Sequence, residues 1–187
     1  MSWSFTESWT RCVDSVDWPV RSLLIMIASH RTLLWGQAAG GLAVNFFLNG
    51  AVAWWTLPPV AKLPLWARGN CIAGDTIGTS FFLPLVTCLV LTTVVRRMLR
   101  AKRMDSVPRS ALPIGIRLWP QHIVGRGAIV GLLSILLCAL PTLALLTQLG
   151  IESMSRGEVT TYKAIYTAVL GVLVTPLFGW RALADQP

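Results

Sequence analysis

Apolar side chains recur every three or four positions through the first 27 residues: Phe5, Trp9, Val13, Val16, Val20, Leu23 and Ile27. Glu7, Arg11, Asp14, Asp17 and Arg21 fall between them. That period predicts an amphipathic helical segment over residues 1–32, broken near Pro19, which opens its second piece. Trp3, Trp9 and Trp18 favour a helix lying in a membrane–water interface over one packed on a partner or on its own bundle.

Beyond residue 32 the amphipathic rhythm gives way to four apolar runs. They cover about 33–57, stopped by Pro58 and Pro59, then 72–95, stopped by RRMLRAKR, then 127–149 and 162–180. At ~1.5 Å per helical residue each crosses a hydrocarbon core of ~30 Å, the last only just. The expected fold class is an all-α integral membrane protein: four transmembrane helices with an N-terminal amphipathic interfacial helix. The expected organisation is a cytoplasmic-face segment, 1–32, and a membrane domain, 33–187. Pro84 and Pro176 sit at similar depths in spans two and four, but their flanks do not match, so no internal repeat is assigned.

Composition supports this. Apolar residues make up 54% of the chain and charged residues 13%, against roughly 25% charged in a soluble domain. The first 19 residues contain no apolar core of the signal-peptide kind, so insertion through the chain's own helices is expected. The net charge of +8 raises nucleic acid as a partner, but its distribution argues against that. Arg96, Arg97, Arg100, Lys102, Arg103, Arg109, Arg117 and Arg126 crowd the central loop, where Asp105 is the one acid. The other two loops hold Lys62, Arg68 and Arg156. The positive-inside rule places the central loop and both termini in the cytoplasm, here of a bacterial cytoplasmic membrane. The basic loop then contacts anionic lipid headgroups, with Trp119 along the interface.

The candidate chemistry lies inside the spans. Asn45 and Asn49 stand one turn apart in AVNFFLNGAVAWW, ~18 Å and ~12 Å from the outer end of span one. Span two enters from the same side with GDTIGTSFFLPL, placing Asp75 ~5 Å deep and Thr76, Thr79 and Ser80 close below. A short loop predicts that spans one and two are neighbours, so these six residues meet. Pro84 removes the amide partner of the Ser80 carbonyl, and the asparagines are expected to satisfy it. On that account they are helix glue. On the functional account the six residues line a path or site for a hard cation, a proton or a polar solute, with Asp75 the one acid inside the spans. A bland alternative makes Asp75 an N-terminal cap.

Glycines four apart, Gly36 and Gly40, Gly74 and Gly78, Gly127 and Gly131, are candidate helix-packing positions, within the chain or between copies. No catalytic or metal-ligating residue is assigned, and no cofactor is expected. Cys12, Cys71, Cys88 and Cys138 form no C-x-x-C pair, and His30 and His122 are not placed to hold haem. There is no G-x-S-x-G, H-E-x-x-H or P-loop, and Ser134 lacks a partner for hydrolysis. The leading expectation is binding or conduction of a small ion or polar solute, as a homo-oligomer. The alternative is a non-catalytic anchor or assembly subunit for a membrane partner protein, and a weaker third is a lipid enzyme using Asp75.

Overall fold

The computed structural model describes residues 18–57, 62–101, 114–117 and 119–184, with 18–35, 114 and 117 described through their backbone alone. The amphipathic segment expected before Trp18, the centre of the basic loop, Cys12 and the His30 side chain lie outside the described residues. The chain divides into two compact units, Met1–Gly36 and Gln37–Pro187, and the second holds the packing described below.

The described chain is almost entirely helical. Helix α1 runs Trp18–Thr56, with Pro19 at its second residue, where a missing amide hydrogen is tolerated. Then come β1 (Leu63–Pro64), α2 (Ile72–Arg100), the short α3 (Ile114–Arg117) and α4 (Ile123–Ser134). A π-helical turn, Ile135–Ala139, joins α4 to α5 (Leu140–Gln148), and β2 (Ser153–Met154) leads into α6 (Arg156–Leu183). Among the described residues three helices are long and apolar enough to cross a bilayer: Ile72–Arg100, Ile123–Gln148 and Arg156–Leu183. The chain is therefore of the all-α class, with helices that fit an integral membrane protein.

Local chemistry explains the helix ends. The side chain of Cys71, not that of Asp75, caps α2: its thiol accepts from the Gly74 amide at 3.3 Å. Helix α6 begins six residues before the apolar run, because Ser155 and Glu158 form a reciprocal capping box. The π turn stands just before Pro141, where a wider turn relieves the clash between a proline ring and the preceding carbonyls.

Helix α2 packs on both α4 and α6. One stripe of it, Thr76, Ser80, Pro84, Cys88, Thr92, Val95 and Leu99, is buried at spacings of three and four residues. Gly127 and Gly131 seat α4 on α2: a Cβ on Gly131 would lie 2.8 Å from the Phe81 carbonyl, and one on Gly127 3.0 Å from Leu85 Cα. The register, 127 over 85 and 131 over 81, makes the two helices antiparallel.

Helix α1, from Gln37 onward, faces α2 across the cavity described below and makes its close approaches to another helix. It docks antiparallel on α6: a Cβ on Gly41 would meet Thr175, one on Gly50 would meet Ala164, and one on Gly171 would meet Asn45. The Thr167 hydroxyl lies 3.1 Å from the Asn45 carbonyl across this contact, with the Lys163 carbonyl of its own helix at 2.8 Å as a competing acceptor. By contrast, a Cβ on Gly36, Gly40 or Gly78 would meet nothing within 4 Å, and one on Gly74 would meet only Cys71. Those positions are not close approaches within the described chain.

The two ends of the bundle differ. At one, the antiparallel pair β1–β2 aligns Leu63 with Met154 and Pro64 with Ser153. It closes an apolar cluster of Leu63, Leu65, Ile72, Ala73, Leu143, Leu146, Met154 and Val159. Exposed Trp54, Trp55 and Trp66 lie at this ribbon end. Arg156 stacks over Trp54, 4.2 Å from the ring centroid, and donates to its carbonyl. At the other end Cys88, Val130, Leu170, Val174 and Phe178 form a second cluster. Trp119 packs edge-on against Phe178 at 6.0 Å, half-buried in this cluster instead of lying free along an interface. Arg126, expected in the exposed basic loop, is buried, and its guanidinium donates to the Pro120 and Gln121 carbonyls at 3.4 Å.

Candidate ligand site at Asp75

Helix α2 carries two polar rows on adjoining faces. Residues 75 and 79 lie four apart, as do 76 and 80, so each pair lies on one line along the helix. The two rows meet different neighbours.

The first row is closed. Thr76 donates to the Ile72 carbonyl at 2.7 Å, and its oxygen lies 3.0 Å from the Tyr162 hydroxyl. One turn on, Ser80 donates to the Thr76 carbonyl at 2.6 Å and lies 2.6 Å from the Tyr166 hydroxyl. A serine or threonine hydroxyl has one hydrogen, committed here to its own backbone, so each tyrosine is the donor across the interface. The two tyrosine rings stack, centroids 5.8 Å apart at 22°. The register, 76 with 162 and 80 with 166, runs α2 and α6 parallel. Thr76 and Ser80 are thus buried in a helix–helix seam, away from the two cavities described below.

The second row is open. Asp75 and Thr79, with Gly74 and Gly78, line a cavity of about 540 Å³. Asn45 and Asn49 of α1 form its opposite wall, and Leu48, Phe82, Leu83 and Val86 complete it. The structure therefore brings together four of the six candidate residues, Asn45, Asn49, Asp75 and Thr79, across a gap between α1 and α2. The asparagines do not reach the Ser80 carbonyl. Asn45 donates to the Gly41 carbonyl at 2.7 Å, and Asn49 to the Asn45 carbonyl at 3.1 Å, both within their own helix. Asn49 also approaches the Asn45 side-chain oxygen at 3.4 Å, so the two amides form one short chain along the wall.

Asp75, the one acid in the expected spans, has a basic partner. Lys163 of α6 reaches it with Nζ–Oδ1 at 2.6 Å, the lysine side chain 16% exposed and the aspartate 45%. This pair stands at a junction. Gly74 and Asp75 also line a second cavity, of about 600 Å³, at the ribbon end, with Lys62, Asn70 and Lys163. One cavity lies beside β1 and the Asn70 turn, the other between α1 and α2, and Asp75 belongs to both.

Sequence reasoning passed over Lys163, Tyr162, Tyr166 and Thr167. Two signals could have found them. The Ser155-x-x-Glu158 box extends the last helix backward and places Lys163 about two turns inside it. The spacing of Tyr162 and Tyr166 repeats that of Thr76 and Ser80, as expected of two facing hydrogen-bonding rows.

No protein family, curated protein or solved structure matches the chain.

Proposed function

We propose that the chain is a membrane protein of four spans, with residues 33–57, from within α1 to just past its end, as the additional one, that binds a small ion or polar solute entering from the ribbon end. The observation that carries this is the Asp75–Lys163 pair at the junction of two cavities, with Asn45 and Asn49 lining the second. A compensated ion pair placed between two cavities is a natural exchange point: an entering cation competes with the lysine for the carboxylate, and an entering anion competes with the carboxylate for the lysine. The asparagines offer side-chain oxygens and second amide hydrogens beyond those their own helix uses.

The topology follows from charge. Arg96, Arg97, Arg100, Arg126 and Arg181 gather at the end opposite the ribbon, which we assign to the cytoplasm of a bacterial cell, together with both termini. The basic loop between α2 and α4 contacts anionic headgroups there. The tryptophans of the ribbon end mark the outer interface. One chain supports binding. Conduction requires a second copy to complete the wall between α1 and α2.

The test is flux and binding in liposomes holding the wild type or Asp75→Asn. Wild-type transport or saturable binding of an ion or polar solute that the variant loses, with the fold retained, supports the reading. No difference across cations, anions and protons refutes it. That result favours the anchor or assembly role, for which the unfilled space at Gly36 and Gly40 leaves a smooth face for a partner helix.

A further inference from the structure

We infer that the ligand of the two cavities that share Gly74 and Asp75 is an anionic phospholipid of the outer leaflet, its phosphate at Lys62 and Lys163 and one acyl chain lying between α1 and α2. This rests on the reading of these cavities as a ligand site and goes beyond it, taking the occupant to be a lipid in place of a small ion or polar solute.

Three features of the site support it. The first is length. The cavity between α1 and α2 follows α2 from Asp75 to Thr87, twelve residues or ~18 Å of helix, about one leaflet of a ~30 Å hydrocarbon core. A compact ion needs a ring of ligands at one level, whereas an alkyl chain needs an extended channel. The second is the character of the walls. Leu48, Phe82 and Val86 are exposed at its rim, so the channel is open along its side at the depth where lipid tails lie. The asparagine amides on the opposite wall already donate to their own helix, which lowers the cost of an apolar neighbour. The small side of the channel is set by Gly74 and Gly78, and at Gly78 no atom lies within 4 Å of where a side chain would begin.

The third is charge at the channel's mouth. The ribbon-end cavity is lined by two lysines against one aspartate, a net positive lining. Asp75 is held by Lys163 at 2.6 Å, which keeps the ammonium at the junction. A headgroup phosphate there meets Lys163 from the cavity side and Lys62 from the loop. The exposed tryptophans at the same end place this cavity at headgroup level.

The experiment uses the full chain in nanodiscs of phosphatidylcholine with and without phosphatidylglycerol, read by native mass spectrometry for lipids retained after release from the bilayer. The variants are Lys62→Gln, Lys163→Gln and Gly78→Leu, and glycerol 3-phosphate serves as the chainless probe. Retention of phosphatidylglycerol over phosphatidylcholine is expected, weakened about fivefold by each lysine substitution. Gly78→Leu should remove phosphatidylglycerol retention while leaving glycerol 3-phosphate binding in place. Equal retention of both lipids by every variant overturns the inference. So does glycerol 3-phosphate binding in the wild type with full lipid retention in Gly78→Leu, which leaves a compact-solute site standing. If wild type and Asp75→Asn also fail to differ for any ion or solute, the ligand-binding reading falls with it.

Discussion

Of the three glycine pairs, the structure singles out one, and a matched pair of substitutions tests that choice. In Gly131→Ala the new methyl would sit 2.8 Å from the Phe81 carbonyl oxygen and 3.3 Å from its Cα. Both are backbone atoms of α2, so relief requires α4 to move away from α2. Overpacking of this kind costs about 1–3 kcal/mol. In Gly78→Ala the methyl meets nothing within 4 Å. Both sites are helical, so the gain from alanine's higher helix propensity, up to ~1 kcal/mol, is common to both and cancels in the comparison. Gly131→Ala should therefore be less stable than Gly78→Ala by about 1–3 kcal/mol. The assay is reversible unfolding in mixed micelles with increasing sodium dodecyl sulfate, followed by far-UV circular dichroism. If Gly78→Ala is destabilised as much as Gly131→Ala, α4 does not approach α2 through Gly131 and the assigned packing is wrong.

Two further outcomes follow from the same geometry. Tyr166→Phe removes the donor to Ser80, and in a double-mutant cycle with Ser80→Ala by the same unfolding assay the coupling should be about 0.6 kcal/mol and no more than ~1.7; zero coupling would place the hydroxyls apart. Ser155→Ala opens the capping box of α6 and should cost ~1 kcal/mol, with faster hydrogen exchange confined to the first turn of that helix, whereas uniform exchange along the helix would contradict a local cap.

The sequence exposed the parts of the fold that depend on local pattern. The apolar runs at 72–95, 127–149 and 162–180 are the centres of the three candidate spans, because a helix in lipid must be apolar along most of its length and needs no partner to be recognised. The ends were less legible. The last helix starts at Arg156 because two polar residues cap it, a feature a hydropathy window discounts. Neighbours were the least legible of all. A short connection between spans one and two suggested that they are neighbours, and they do face each other across a cavity, but Gly41, Gly50 and Gly171 make the close approach one between α1 and α6. Steric fit decides such contacts, and these glycines are not four apart within one helix. The Gly-x-x-x-Gly pattern held a close approach at 127 and 131 but not at 36 and 40, since the pattern records small size and not whether another backbone arrives.

The candidate site shows the same division. Counting depth along the helices placed Asn45, Asn49, Asp75 and Thr79 close enough to share a cavity, because helical rise is fixed by the backbone. Depth says nothing about rotation, and Thr76 and Ser80, at the same depth, turn toward α6 instead. Rotation is what separates structural from functional polarity in α2. A hydroxyl row facing tyrosines has its hydrogen bonds made within the bundle. In the other row the asparagines turn inward on their own helix, and the charge of Asp75 is answered by a lysine from α6. What this second row leaves is open volume on two sides of a compensated charge, one cavity lined by Lys62 and the other by the exposed side chains of Leu48, Phe82 and Val86. Helix packing alone would favour closing such a gap, since filling it gains dispersion contacts and removes polar groups from hydrocarbon. The proposed ligand site rests on this gap between α1 and α2, where the asparagines bond within α1 and Asp75 pairs with Lys163, leaving volume that helix packing alone would fill.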